Sequence, residues 1–160
     1  MNPKFIFSIY NESMTYRGYK GRFKPQNYTK YEGDPTNIIY RSLLERRFMI
    51  YCDSNPNIIM WSSEEVIIPY LSPIDNRYHR YFVDFKIKYK DTNGKVKVSL
   101  IEVKPYQKTK KPEVKSRKTK RYIQEVMEWG VNDAKWKAAI EYCKDRNWDF
   151  KIMTEKQLNG

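Results

Sequence analysis

Apolar residues recur along this chain with two different periods, and the change from one to the other marks its elements. Ile39, Leu43, Leu44, Phe48, Met49 and Cys52 fall on one broad helical face. Asp34-Pro35 ahead of them places a capping residue before a proline at the first helical position, which predicts a helix from Asp34-Pro35 to about residue 52. The same stretch holds a second start, because Ser42-Leu43-Leu44-Glu45 fits a capping box in which Glu45 ties back to the beginning of a later helix. Arg41, four residues earlier, offers Glu45 a salt bridge as well, so on the residues alone Glu45 reads as structural. Asn55-Pro56-Asn57 ends the helix. Strand material follows from Ile58 to Trp61 and from Glu64 to Leu71, with Pro69 marking an edge or an end, and Ser72 to Arg77 reads as a loop.

Strict alternation then appears twice, from Arg80 to Lys90 and from Lys95 to Lys104, with the turn residues Asp91-Thr92-Asn93-Gly94 between. The two strands predict an antiparallel hairpin, and its register decides which charges meet. A two-residue turn at Asn93-Gly94 sets Asp84 against Val103 and sends the carboxylates of Asp84 and Glu102 to opposite faces. A loop of Thr92, Asn93 and Gly94, with Gly94 in the left-handed region, sets Asp91 against Lys95 and Asp84 directly across from Glu102. Glu102 and Lys104 share a face in either case, about 7 Å apart along the strand. The favoured register also puts Lys86 and Lys88 on the face of Val98 and Leu100. Either their stems lie along apolar surface or a bulge changes the register near the turn.

The last third is helical. One helix is predicted from Arg117 or Thr119 to about Trp129, and a second, capped by Asn132 or Asp133, runs to about Arg146, with Gly130 between them. Trp129, Trp136 and Trp148 read as core residues rather than base-stacking platforms. Trp148 to Met153 is a final short strand, and Thr154 to Leu158 begins a terminal helical turn. The expected fold is therefore α/β of the α+β kind, with a central mixed sheet of about four strands flanked by helices. Residues 1–27 form a basic and aromatic N-terminal arm or extension, and residues 28–160 a single domain.

Charge adds a partner to this picture. The chain holds 31 Lys+Arg against 19 Asp+Glu, a formal charge of +12, and 16% aromatic residues, which together point to nucleic acid. In the N-terminal segment, where no period survives, Arg17, Lys20, Arg22 and Lys24 alternate with aromatic residues. The segment is either a tail packed on the domain or an arm touching phosphates and bases. The densest basic run carries Lys108, Lys110, Lys111, Lys115, Arg117 and Lys118, and it leaves the very strand that bears Glu102 and Lys104. Its cations are candidates for the phosphate backbone. No apolar run reaches membrane-span length, so no membrane partner is expected. A single histidine, His79, excludes sites that need two, and isolated Cys52 and Cys143 give no zinc pattern. Carboxylate and lysine chemistry remains. Two carboxylates within roughly 5 Å beside a lysine repel one another unless a cation joins them, and a hard divalent ion fits oxygen ligands of this kind.

The order of a helix bearing Glu45, antiparallel strands bearing Asp84 and then Glu102-Val103-Lys104, and a helix leading to a short strand resembles the PD-(D/E)XK nuclease superfamily. Within it the chain is similar to the T-even-type head completion nucleases of tailed phages, which are related to TnsA-type transposon endonucleases. The matching strings are Lys30-Tyr31-Glu32-Gly33-Asp34-Pro35, Tyr40-Arg41-Ser42, Tyr81-Phe82-Val83-Asp84-Phe85, Ile101-Glu102-Val103-Lys104-Pro105 and Asn132-Asp133-Ala134-Lys135-Trp136-Lys137-Ala138-Ala139. Val83 stands where the superfamily name has proline. The resemblance implies a restriction-endonuclease-like core and a Mg2+-dependent endodeoxyribonuclease, with Mn2+ as a substitute. Asp84, Glu102 and the Val103 carbonyl would be metal ligands, Lys104 would orient water and stabilise the phosphate, and Glu45 would complete the site through water. It further implies double-stranded or branched DNA as substrate, phage head or portal proteins as partners, and action in the host cytoplasm or in association with the virion. A DNA-binding or capsid and portal completion module without catalysis is the alternative.

Overall fold

A computed structural model describes residues 19–159. Its centre is a four-stranded sheet of β3 (Ile58–Ser63), β6 (Phe85–Lys90), β7 (Val96–Val103) and β8 (Asp149–Met153) in that spatial order. The first two pairings are antiparallel and β7 with β8 is parallel, so the sheet is mixed as expected. Two ribbons flank it: β1 (Gly21–Phe23) with β2 (Ile38–Tyr40), and β4 (Ile67–Leu71) with β5 (Tyr78–Phe82). Helix α1 (Leu43–Ser54) covers one face of the sheet, where Leu44, Phe48, Met49 and Cys52 pack with Phe85, Ile87, Ile101 and Val103. Helix α2 (Lys120–Lys144) covers the other, its Ala139 and Cys143 meeting Leu100 of β7 and Ile68, Tyr70 and Tyr81 of the β4–β5 ribbon. A short α3 (Glu155–Leu158) closes the described chain with a capping box between Thr154 and Gln157. Among the described residues no helix is long and apolar enough to cross a membrane.

The hairpin register follows from its turn. Pairs run without interruption from Lys90↔Val96 to Phe85↔Ile101, Asp91 N–H donates to the Lys95 carbonyl at 2.9 Å, and Gly94 sits at φ 76°. Thr92, Asn93 and Gly94 are thus the loop, and one further step of the register sets Asp84 opposite Glu102. There is no bulge near the turn. Lys86 instead lays its stem along the sheet, with its ammonium 3.2 Å from Glu32 and 5.3 Å from the Trp148 ring centroid.

Three expectations are corrected. The first helix starts at Leu43, not Asp34, because Asp34 caps only a local turn to Thr36 while Ile38 and Tyr40 alternate inward as β2; Ser42 is the true cap. The two C-terminal helices are one, continuous through Gly130, since a mid-helix glycine costs only about 1 kcal/mol and both halves pack on the domain. The strand expected from Arg80 to Lys90 is divided between β5 and β6. Between the pairs Ser63↔Phe85 and Ile67↔Phe82 the register slips by one residue, and Glu64 takes φ 57°, so the paired chains bend from sheet into ribbon beside Asp84. The described part of the N-terminal segment packs on the domain. Phe23 is buried in the core, β1 pairs with β2, and the Asp53 carboxylate accepts the backbone N–H groups of Gln26 and Asn27 at 2.8 and 3.1 Å.

Candidate active site

Glu102 and Lys104 occupy the α2 side of β7, two residues apart, and the strand's alternation alone brings them together. Lys104 donates to Glu102 Oε1 at 3.0 Å, and the Tyr81 hydroxyl donates to Glu102 Oε2 in a short bond. Burial and the Glu102 charge push the Tyr81 phenol far up, so it remains a hydrogen-bond donor at any working pH. Lys104 also approaches Asn132 Oδ1 of α2, at 3.5 Å.

Asp84 lies at the bend, partly reachable by solvent but with protein on nearly all sides. Val103 N–H donates to its Oδ2 at 2.8 Å, which fixes the carboxyl against β7. Desolvation first, and then the Glu102 charge, drive the Asp84 carboxyl well above the usual carboxylate range, with Glu45 adding to the shift and Lys104 opposing it. Asp84, Glu102 and Lys104 therefore converge as the register predicts.

Glu45 has the helix-start ties read for it. Ser42 Oγ accepts the Glu45 N–H at 3.1 Å, and Glu45 Oε2 accepts the Arg41 N–H at 2.7 Å, so it ties back to the helix start. Yet its charge also reaches Asp84, and desolvation raises its own carboxyl. Arg41 does not pair with Glu45 through its side chain; it holds Glu64 in two bonds of 3.0 and 3.2 Å. That pairing helps to hold Glu64 in its left-handed backbone conformation, which costs on the order of 1–3 kcal/mol.

The donor set suits a hard divalent ion. Two carboxylates crowded so that one resists ionisation would both be relieved by a shared dication, and Mg2+ commonly takes one or two carboxylates before phosphate and water complete its shell. Among the described residues no three His, Cys, Asp or Glu side chains are grouped to hold a metal.

The expected phosphate-binding residues separate into two groups. Arg17 lies outside the described residues; Lys20, Arg22 and Lys24 are exposed on or beside β1. The run after β7 begins as a short 3-10 turn (Tyr106–Thr109) and lies along α2 rather than free in solvent. Lys108 pairs with Glu128 at 3.2 Å, and the ammonium groups of Lys110, Lys111 and Lys115 stand 4.5, 5.5 and 5.8 Å from the rings of Tyr106, Trp129 and Tyr122. Arg117 and Lys118 are exposed. Lys104 and Lys108 line an open cavity of about 780 Å³ that runs along α2 past Lys120, Met127, Asn132 and Lys135. Sequence reading gave no role in the site to Tyr81, Asn132 or Lys135. Only the placement of α2 and the ribbon over β7 brings them to the site.

A mixed sheet with a helix on each face, and an Asp opposite a Glu-x-Lys strand at its rim, defines the restriction-endonuclease-like class. The family model described as "TnsA-like endonuclease N terminal" matches residues 55–155, and the chain belongs to that family. The match contains Asp84, Glu102 and Lys104 and begins after Glu45. The chain is also similar to the "Head completion nuclease" of Enterobacteria phage T4, with 40% identity over 146 residues that cover 89% of this chain and 95% of that protein.

Proposed function

We propose that this nuclease hydrolyses phosphodiester bonds in DNA with a divalent ion, Mg2+ or Mn2+ in its place, and that it acts in phage head completion by trimming DNA left at the portal after packaging. The observation that carries this reading is the meeting of Asp84, Glu102 and Lys104 at the bend, with Lys104 bonded to Glu102 at 3.0 Å. Asp84, Glu102 and the Val103 carbonyl would hold the ion. When bound, it lowers the pKa of a coordinated water and offsets charge growing on the phosphate. Lys104, held 3.0 Å from Glu102, donates to the scissile phosphate and orients the nucleophile. Glu45, anchored by the Arg41 N–H through one oxygen, has its other oxygen for water at the rim. The basic run from Lys108 to Lys118 holds the phosphate backbone, double-stranded or branched, and positions it without reading bases. Residues 28–160 form the nuclease domain with the segment before it as an extension, and the protein works in the host cytoplasm during head assembly with head or portal proteins as partners.

The test is cleavage of supercoiled, linear and branched DNA with Mg2+, with Mn2+ and with chelator. Cleavage with either ion that stops on chelation is expected. Cleavage that persists in chelator, or none on any substrate, overturns the reading and favours a binding module.

A further inference from the structure

Lys135 stands apart from the other cations around the site. It projects from α2 one turn after Asn132, is half-buried, and lines the cavity that begins at Lys104. Lys86, Lys104 and Lys108 each contact a carboxylate within 3.2 Å, whereas among the described residues the Lys135 ammonium makes no hydrogen bond and no ion pair. It rests between two rings instead, 5.6 Å from the centroid of Tyr70 and 5.5 Å from that of Tyr81. Aromatic faces attract a desolvated ammonium but leave its three donors unsatisfied. A half-buried cation without an anion is costly unless one arrives in function. Burial lowers the Lys135 pKa, and of the charges that reach it Lys104 adds to that shift while Glu102 and Asp84 oppose it.

Tyr81 links the two halves of this arrangement. Its hydroxyl is fixed on Glu102, so its ring cannot turn away, and the ring in turn sets where Lys135 stands relative to that carboxylate. Lys104 spends two of its three donors on Glu102 and Asn132, whereas Lys135 has all three to spare on the cavity side of the carboxylates. We propose that Lys135 is a second phosphate-binding lysine of the active site, donating to the scissile phosphodiester from α2 while Lys104 donates from β7. This rests on the nuclease reading above and deepens it: the phosphate is gripped from both the sheet and the helix.

The test compares Lys135→Gln and Lys135→Arg with Lys137→Gln, which removes the same charge from the same helix at an exposed position paired with Asp133. Single-turnover cleavage is measured at saturating DNA with Mg2+, DNA affinity with Ca2+ in its place, and folding by thermal melting. Lys135→Gln should melt like the wild type yet cleave about 10²-fold more slowly, as the loss of one donor to a developing anion does. Lys135→Arg should recover part of the rate, and Lys137→Gln should stay within about twofold of wild type, the size of a surface charge effect. Wild-type rate at saturating DNA in Lys135→Gln, or a loss no greater than in Lys137→Gln, overturns the proposal. If the wild type cleaves nothing, the nuclease reading fails separately. The Ca2+ affinities then decide: a weaker complex for Lys135→Gln than for Lys137→Gln keeps the phosphate contact, and equal affinities remove it.

Discussion

On one side of the central sheet Ile101 and Val103 of β7 pack with Phe85 and with Leu44 and Phe48 of α1, and Phe48, Leu44, Phe85 and Ile101 are at most 1% exposed. On the other side the same strand offers Leu100 to the α2 core and then, within two further steps, Glu102 and Lys104. The α1 side is sealed and apolar from Ile101 to Val103. The α2 side is sealed at Leu100 and opens into a recess where the charges have fixed partners: Tyr81 and Lys104 on Glu102, Val103 N–H on Asp84. One face thus holds the fold together while the other keeps like charges closer than water would tolerate, which the upward shift of Asp84 records. Changes on the first face should register as stability, and changes on the second as activity.

The largest effect should come from the charged recess. Asp84→Asn and Glu102→Gln keep shape but remove the charge that holds a dication, and cleavage should fall about 10³-fold or more, measured in single turnover. DNA affinity without metal should hold or rise as repulsion of phosphate is relieved. Folding should not suffer. In metal-free buffer the raised Asp84 carboxyl favours the folded state below the ordinary carboxylate value, and that contribution is lost as pH climbs through the raised folded value. The stability advantage of Asp84→Asn over wild type should therefore open above about pH 4 and vanish below it, as read by denaturant titration. A gap that widens toward acid would contradict the crowding of Asp84.

Next in size is the opposite face. Phe48→Ala leaves a cavity against Phe85 and should cost about 3–5 kcal/mol of unfolding free energy, while the fraction still folded cleaves normally. Glu45→Gln lies between the faces. Glutamine can still accept the Arg41 N–H, so melting should change little, while loss of a water-holding carboxylate should slow cleavage about 10- to 100-fold. Unchanged cleavage would assign Glu45 to the helix start alone. The smallest effect is expected from Lys108, Lys110 and Lys111 changed together to alanine. DNA affinity should drop about equally for all sequences, and its salt dependence should flatten by up to about 0.9 per lost phosphate contact. An unchanged slope would make that segment solvated surface.

How far the site was legible in the residues depended on distance along the chain. Asp84, Glu102 and Lys104 could be brought together from local facts, since Gly94 permits the three-residue loop and alternation does the rest. Fourfold spacing could not decide whether the helix began at Asp34 or Ser42, because both residues cap; what decides is that Ile38 and Tyr40 have β1 to pair with, a partner supplied by a segment without any period. Gly130 misled in the opposite way, as its helical cost is small beside the packing of Trp136, Ala139 and Cys143. The bend at Asp84 left no mark either, since Glu64 rather than a glycine takes the left-handed conformation. Lys135 was invisible as a site residue for a related reason. On α2 it is one lysine among several, and only the seating of that helix over Tyr70 and Tyr81 distinguishes it.

The unbroken α2 gives the molecule a fixed measure of length. From Lys120 to Lys135 is fifteen residues of one helix, which at about 1.5 Å each spans roughly 22 Å of rigid rod ending beside Lys104. Successive phosphates of one DNA strand advance about 3.4 Å along the duplex axis. A strand laid along the rod would therefore be gauged over roughly six nucleotides from the recess outward, a ruler that two helices hinged at Gly130 could not have supplied.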